Sequence, residues 1–107
     1  MAQHATVTIA NNTITVVPDP LPMGKSNNQA IEWTIQTDNW TFPADGIVIN
    51  DPNGQFYDGG KVTGNDQKYK WHDKNTDGNT YKYTVNVTNN ANNPPNLSKD
   101  PNIVNEN

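Results

Sequence analysis

The residues best suited to chemistry are the oxygen-bearing side chains of the segment DKNTDGN, residues 73–79. Calcium loops place side-chain oxygens at their first, third and fifth positions, a glycine at the sixth and a backbone carbonyl at the seventh. This spacing makes Asp73, Asn75, Asp77 and Asn79 candidate calcium ligands. The twelfth position, where an EF-hand has glutamate, is Thr84. The segment therefore predicts either a weak calcium site outside the EF-hand class or a turn, since Asp, Asn and Gly also favour turns.

Two aromatic residues, Trp40 and Tyr57, are candidates for stacking on a ligand. Most other aromatic side chains share strand parity with aliphatic ones, as Trp33 does with Ile31, and this predicts that they are buried. Trp40 lies beside a turn, and Tyr57 has parity opposite to Phe56 in a glycine-rich segment. Because loops at one end of a sandwich often carry binding residues, Trp40 and Tyr57 are the predicted ligand-binding pair.

Catalytic side chains do not form a recognisable set. His72 and Asp73 are adjacent, so on a strand they point to opposite faces. Ser26 and Ser98 fall in predicted loops without the glycines of a nucleophile elbow. The carboxylates stand singly in turns, apart from Glu32 in the middle of a strand. We therefore predict no catalytic residues and no enzymatic activity.

Alternation of apolar and polar residues predicts the strands that carry these side chains. The clearest example is the segment 80–88, where Tyr81, Tyr83, Val85 and Val87 share one face. Together with residues 68–72, this segment predicts a β-hairpin closed by the 73–79 loop. The segment 18–22 contains three prolines, which cannot donate backbone hydrogen bonds, and predicts an edge segment or a crossover between sheets.

Length and composition restrict the domain organisation and the partners. The chain has 107 residues, no cysteine, no arginine and a net charge of −4. Nucleic-acid binding is not expected without clustered basic residues. No apolar run approaches the roughly 20 residues of a membrane span. Residues 1–5 lack a signal-peptide pattern, which fits a cytoplasmic protein or a mature secreted one.

The predicted fold is all-β, with little or no helix. Short strands separated by turn residues favour an antiparallel β-sandwich of about seven to nine strands over residues 1–88. Residues 89–107 are rich in Asn and Pro and predict a tail, unless residues 102–104 dock as an edge strand.

Three segments resemble parts of a cupredoxin-like sandwich: Val17-Pro18 through Leu21, Ile31-Glu32-Trp33, and Tyr81-Lys82-Tyr83. The resemblance spans most of residues 5–88, and immunoglobulin-like sandwiches share several of these features. Either family implies two packed β-sheets.

The copper ligands of that family are not matched. Blue-copper sites use two histidines, a cysteine thiolate and usually a methionine. Val85 stands near the position of the family's cysteine, and residues 36–39 contain no histidine. His4, His72 and Met23 match none of the ligand positions. The resemblance therefore implies a copperless domain without blue-copper electron transfer.

These observations favour a non-catalytic binding or structural module that acts through its loops or an edge strand, on a protein partner or by self-association. The alternative is a small extracellular ligand- or carbohydrate-binding domain with a weak calcium site in the 73–79 loop. An exposed Trp40 and Tyr57 would favour the ligand-binding alternative, whereas a buried pair beside an apolar patch would favour a protein partner.

Overall fold

The computed structural model describes residues 3–24, 28–89 and 97–105, and these ranges fold entirely into strands, turns and loops. The all-β, sandwich-like fold is thus confirmed. Its eleven strands exceed the predicted number because several are only two or three residues long. In chain order they are β1 (Gln3–Ala10), β2 (Thr13–Val17), β3 (Leu21–Pro22), β4 (Gln29–Ile35), β5 (Trp40–Thr41), β6 (Ile47–Ile49), β7 (Phe56–Val62), β8 (Asn65–Asp73), β9 (Thr80–Asn89), β10 (Leu97–Lys99) and β11 (Asn102–Val104).

The strands form two mixed sheets. The first has the order β2-β1-β4-β8-β7. In the second, β9 pairs with β5, β6, β10 and β11, and β3 pairs with the outer side of β11. The prediction of purely antiparallel sheets is wrong at two places, because β1 pairs parallel with β4 and β3 pairs parallel with β11.

The predicted hairpin of residues 68–88 is also wrong. Strand β8 pairs with β4 and β7 in the first sheet, whereas β9 is central in the second. The 73–79 loop therefore crosses from one sheet to the other. Alternation of apolar and polar residues identifies a strand with one buried face, but it is the same for strands that pair and for strands that face each other across a core.

The core lies between the sheets. The alternating residues Tyr81, Tyr83, Val85 and Val87 are all buried, as predicted. Trp33 of β4 donates a hydrogen bond from Nε1 to the Tyr83 hydroxyl of β9 over 3.0 Å, which joins the two sheets inside the core. Val85, near the position of a copper-ligating cysteine in cupredoxins, is one of these core residues.

Two segments that the sequence left open, residues 18–22 and 102–104, belong to the connections and strands of the second sheet. Residues 18–20 join β2 of the first sheet to β3 of the second, so the predicted crossover is present. Residues 102–104 form β11, which lies between β9 and β3 instead of at an edge. The Asn- and Pro-rich residues 90–96 of the predicted tail lie outside the described residues. In the described ranges no helix is long and apolar enough to cross a membrane.

Candidate functional site

The 73–79 loop lies at one end of the sandwich and is held by neighbouring loops. The Lys74 amide donates to the Gln55 carbonyl over 2.7 Å, and the Lys74 carbonyl accepts from the Asn28 amide over 3.0 Å. The Thr76 amide donates to Gln55 Oε1 over 2.9 Å. These backbone contacts fix the conformation of the loop before any ligand binds.

Asp73, the last residue of β8, carries a carboxylate that is completely buried, with 0% of the residue exposed. Its Oδ1 accepts hydrogen bonds from the Asn75 amide over 2.9 Å and from Asn105 Nδ2 over 3.3 Å. Its Oδ2 has no hydrogen-bond partner among the described residues. A buried carboxylate oxygen without a donor is costly, because burial removes water that would otherwise solvate it.

Asn75 occupies the third position of the loop and is buried. Its φ of 54° lies in the left-handed region, which asparagine tolerates better than most residues. Asn75 Nδ2 donates to the Gly24 carbonyl over 2.7 Å and so joins the loop to the start of the β3–β4 connection. Asn75 therefore shapes the loop, and its role as a calcium ligand stays a prediction.

Asp77 lies closer to the surface and receives several hydrogen bonds. Tyr81 donates its hydroxyl to Asp77 Oδ2 over 2.5 Å, and Asn79 Nδ2 donates to the same oxygen over 3.2 Å. Asp77 Oδ1 accepts from the Asn79 amide over 3.2 Å and from Asn105 Nδ2 over 3.0 Å. The Asn79 carbonyl, the predicted seventh-position ligand, accepts from the Asn105 amide over 3.0 Å.

Asn105 is the site residue that the sequence pattern misses. It follows β11, only 1% of it is exposed, and its amide points at the two loop carboxylates. Its Oδ1 has no hydrogen-bond partner among the described residues. Because Asn105 is 28 positions from Asp77 along the chain, no local motif could include it; the one available signal is the apolar pair Ile103-Val104, which predicts that this segment docks.

The two carboxyl groups have opposite electrostatic environments. Burial raises the pKa of the Asp73 carboxyl to about 6, since desolvation outweighs the hydrogen bonds that it accepts from Asn75 and Asn105. Burial acts in the same direction on Asp77, but hydrogen bonds from Tyr81, Asn105 and Asn79 outweigh it and lower the pKa of that group. Near neutral pH both groups are therefore ionised, and the Asp73 charge is buried.

The donor atoms of this site are suited to a hard cation. The side chains that meet here, Asp73, Asp77 and Asn105, carry oxygen donors and no imidazole or thiolate, and oxygen donors favour Ca²⁺ or Mg²⁺ over zinc or copper. The described residues contain no group of three or more His, Asp and Glu side chains arranged to hold a metal. Any metal site at this loop therefore depends on amide oxygens beside its two carboxylates.

The two aromatic candidates are not brought together. Trp40 lies in the core with 8% of the residue exposed, because β5 pairs with the end of β9 and turns the indole inward. Tyr57 is half-buried and stacks on His72, with ring centroids 5.2 Å apart. The Tyr57 hydroxyl is 3.4 Å from Asn28 Oδ1. Trp40 and Tyr57 therefore do not form an exposed pair on which a ligand could stack.

An open groove of about 1000 Å³ adjoins the loop. It is polar and lies between the β6–β7 connection and the start of β9; its lining residues are Asn50, Asp51, Pro52, Asn53, Asn79, Thr80, Tyr81 and Lys82. Asn79 and Tyr81 belong both to this groove and to the hydrogen bonds around Asp77. A ligand in the groove would therefore contact residues that a cation at the loop would influence.

Comparison with known proteins provides no further assignment for this site. No protein-family model matches the chain, and no curated protein is significantly similar to it.

Proposed function

We propose that this protein is a non-catalytic binding module whose 73–79 loop takes a divalent cation of the calcium type. The observation that carries the proposal is a pair of buried side chains in contact, Asp73 and Asn105, each of which has one oxygen without a hydrogen-bond partner among the described residues. A bound cation between the two side chains would satisfy such oxygens.

The charge of the loop supports this proposal. The two ion pairs among the described residues, Lys61–Asp66 and Lys68–Glu32, both lie away from the loop. The loop carboxylates are thus compensated by hydrogen bonds from neutral groups alone, and a divalent cation would neutralise them. Two carboxylates and neutral oxygens are typical of weak sites, with dissociation constants of about 10⁻⁴–10⁻³ M.

Calcium fits this donor set better than magnesium does. Calcium accepts six to eight oxygens, including amide and backbone carbonyls, in irregular geometry. Magnesium requires a near-ideal octahedron and usually keeps several waters, and it rarely uses an all-protein cage. The loop supplies carboxylate oxygens from Asp73 and Asp77 and amide oxygens close to them, so we expect Ca²⁺ to bind more tightly than Mg²⁺.

A cupredoxin-like assignment of the sandwich forms part of the same proposal. Immunoglobulin sandwiches consist of two antiparallel sheets, whereas β1 and β4 of this protein pair in parallel. This difference favours the cupredoxin-like alternative over the immunoglobulin-like one. The core position of Val85 agrees with a member that does not carry blue copper.

The test is thermal unfolding of the whole chain in EDTA, in 10 mM Mg²⁺ and in 10 mM Ca²⁺ at pH 7.5. With a dissociation constant of about 10⁻⁴ M, this Ca²⁺ concentration would stabilise the fold by about 2.7 kcal/mol, which raises the melting temperature by roughly ten degrees in a domain of this size. Mg²⁺ should cause a smaller increase.

Two variants complete the test. Asp77→Ala removes one of the two proposed carboxylate ligands and should abolish the Ca²⁺-dependent increase. Asp38→Ala removes an exposed carboxylate from a turn after β4 and should keep that increase. Equal melting temperatures of the wild-type protein in EDTA and in Ca²⁺ would contradict the proposed function.

A second candidate function is binding of a polar ligand, such as a saccharide, in the groove beside the loop. It is favoured by the amide and hydroxyl lining of the groove and by the residues that the groove shares with the site, Asn79 and Tyr81. Screening on an oligosaccharide array with and without Ca²⁺ tests this function. Binding that Lys82→Ala weakens would support it, and the absence of any bound saccharide would contradict it.

A further inference from the structure

Asn105 bridges the two loop carboxylates through a single nitrogen. Its Nδ2 lies 3.3 Å from Asp73 Oδ1 and 3.0 Å from Asp77 Oδ1, so one amide group donates to both. The amide oxygen of the same side chain has no partner in the described part of the chain. This arrangement gives one oxygen of each carboxylate a donor while it leaves a strong acceptor, the Asn105 amide oxygen, buried and unused.

The distances around Asn105 also match the spacing of oxygens around calcium. Ligands about 2.4 Å from Ca²⁺ and about 75–90° apart lie about 2.9–3.4 Å from one another. A half-turn of the Asn105 amide would exchange its oxygen and nitrogen and place Oδ1 about 3.0 and 3.3 Å from the same two carboxylate oxygens. An oxygen at that position would be repelled by both carboxylate oxygens without a cation, whereas a cation between the three side chains would hold it there.

We propose that Asn105 is the third side-chain ligand of the cation, through Oδ1, and that cation binding rotates its amide from donor to ligand. The inference rests on the proposed function of the 73–79 loop. In an EF-hand, the glutamate at the twelfth position supplies ligand oxygens. Asn105, which lies outside the loop motif, would take over part of that role here. The ligand set then consists of Asp73, Asp77 and Asn105, completed by other oxygens of the loop and by water.

This ligand connects the cation to the end of β11. The Asn105 amide already donates to the Asn79 carbonyl, and the Val104 carbonyl accepts from the Met23 amide over 3.0 Å. Ile103 is buried between β9 and β3. Because the cation binds the docked segment and not the detached one, it reduces detachment of β11 by the factor 1 + [Ca²⁺]/Kd. At ten times the dissociation constant, hydrogen exchange of β11 amides slows about 11-fold.

The experiment measures Ca²⁺ affinity by calorimetry for the wild-type protein, Asn105→Ala and the control Asn102→Ala, which alters the same strand outside the site. Loss of a ligand should weaken Ca²⁺ binding about tenfold or more in Asn105→Ala, whereas Asn102→Ala should bind as the wild type does. Equal affinities of Asn105→Ala and the wild type would overturn the assignment of Asn105 and leave the proposed function intact.

A second variant, Asn105→Asp, distinguishes ligation from a merely structural role of Asn105. It also replaces Asn105→Ala in the test if Asn105→Ala does not fold. Asn105→Asp keeps the shape of the side chain, adds a carboxylate oxygen and removes the donor to Asp73 and Asp77. We expect it to lower stability in EDTA and to bind Ca²⁺ more tightly than the wild type. Lower stability without tighter binding would overturn the inference. Absence of Ca²⁺ binding by the wild type itself would instead refute the proposed function, and the inference with it.

Discussion

Replacing Asp73 by asparagine should stabilise the metal-free protein, although Asp73 is completely buried and hydrogen-bonded. Asparagine has nearly the same shape as aspartate. Its Oδ1 can accept from the Asn75 amide and from Asn105 Nδ2, as the carboxylate does. The change removes the buried charge and replaces the oxygen that has no donor among the described residues by a neutral amide nitrogen. Removing an uncompensated buried charge lowers the free energy of the folded state.

The size of this effect follows from the pKa of Asp73. Burial raises it from 3.8 to about 6, and each pKa unit corresponds to 1.36 kcal/mol. Keeping Asp73 ionised in the folded protein therefore costs up to about 3 kcal/mol above pH 6. Because the folded state binds this proton more tightly than the unfolded state does, stability is highest below about pH 4 and falls as the pH rises to about 6.

The assay is urea unfolding of the wild-type protein and Asp73→Asn in EDTA, at pH values from 4 to 8. Near pH 4 we expect free energies of unfolding within about 0.5 kcal/mol of each other, because Asp73 is then protonated in the folded state and about half protonated in the unfolded state. Above pH 6 the variant should be more stable by up to about 3 kcal/mol. In Ca²⁺ the difference between the two free energies of unfolding should become smaller or change sign, because only the wild type gains stability from the cation.

Two results would refute this reasoning. Asp73→Asn could be less stable than the wild type at pH 8 in EDTA. The ionised carboxylate would then stabilise the fold, and burial could not have raised the pKa of Asp73. If Ca²⁺ stabilised both proteins equally, Asp73 would not be a ligand.

Three further predictions concern the sheets and the pH dependence of the site. Gly59→Ala should destabilise the protein by about 2–3 kcal/mol in urea unfolding, because its Cβ would overlap the Trp71 indole, whereas Gly60→Ala, with open space around its Cβ, should change stability by less than about 0.5 kcal/mol. Tyr83→Phe should cost about 1–3 kcal/mol, because the buried Trp33 Nε1–H loses its acceptor; an unchanged urea midpoint would contradict the role of this bond. Calorimetry should show Ca²⁺ affinity falling about tenfold from pH 7 to pH 5, as protons compete for the buried carboxylate, and a constant affinity would exclude that group as a ligand.

Local alternation was sufficient to predict most of the strands but not how they pair. The segment 80–88 was correctly identified as a strand with Tyr81 and Tyr83 inward. The hairpin with residues 68–72 was wrong, because a facing strand in another sheet has the same alternation. Trp40 shows a related limit: a turn on one side does not determine which way a two-residue strand turns its side chains, and here pairing with β9 turns the indole into the core.

The loop motif includes two of the three proposed side-chain ligands. The spacing of the motif predicts that Asp73 and Asp77 lie close together, because both belong to one short loop. Asn105 could not be found in this way, since its contribution depends on the docking of β11 between β9 and β3. The burial of Asp73 could not be predicted either, because no sequence pattern indicates that the loop crosses from one sheet to the other.

Titration of Ca²⁺ into the ¹⁵N-labelled wild-type protein at pH 7.5, followed by backbone and side-chain amide resonances, tests the central proposal most directly. We expect saturable shifts with a dissociation constant of about 10⁻⁴–10⁻³ M, concentrated in residues 73–81 and 103–105, and including the Asn105 side-chain amide. No saturable shift up to about 10 mM Ca²⁺, or saturable shifts centred elsewhere in the molecule, would contradict the assignment of this loop as a cation site.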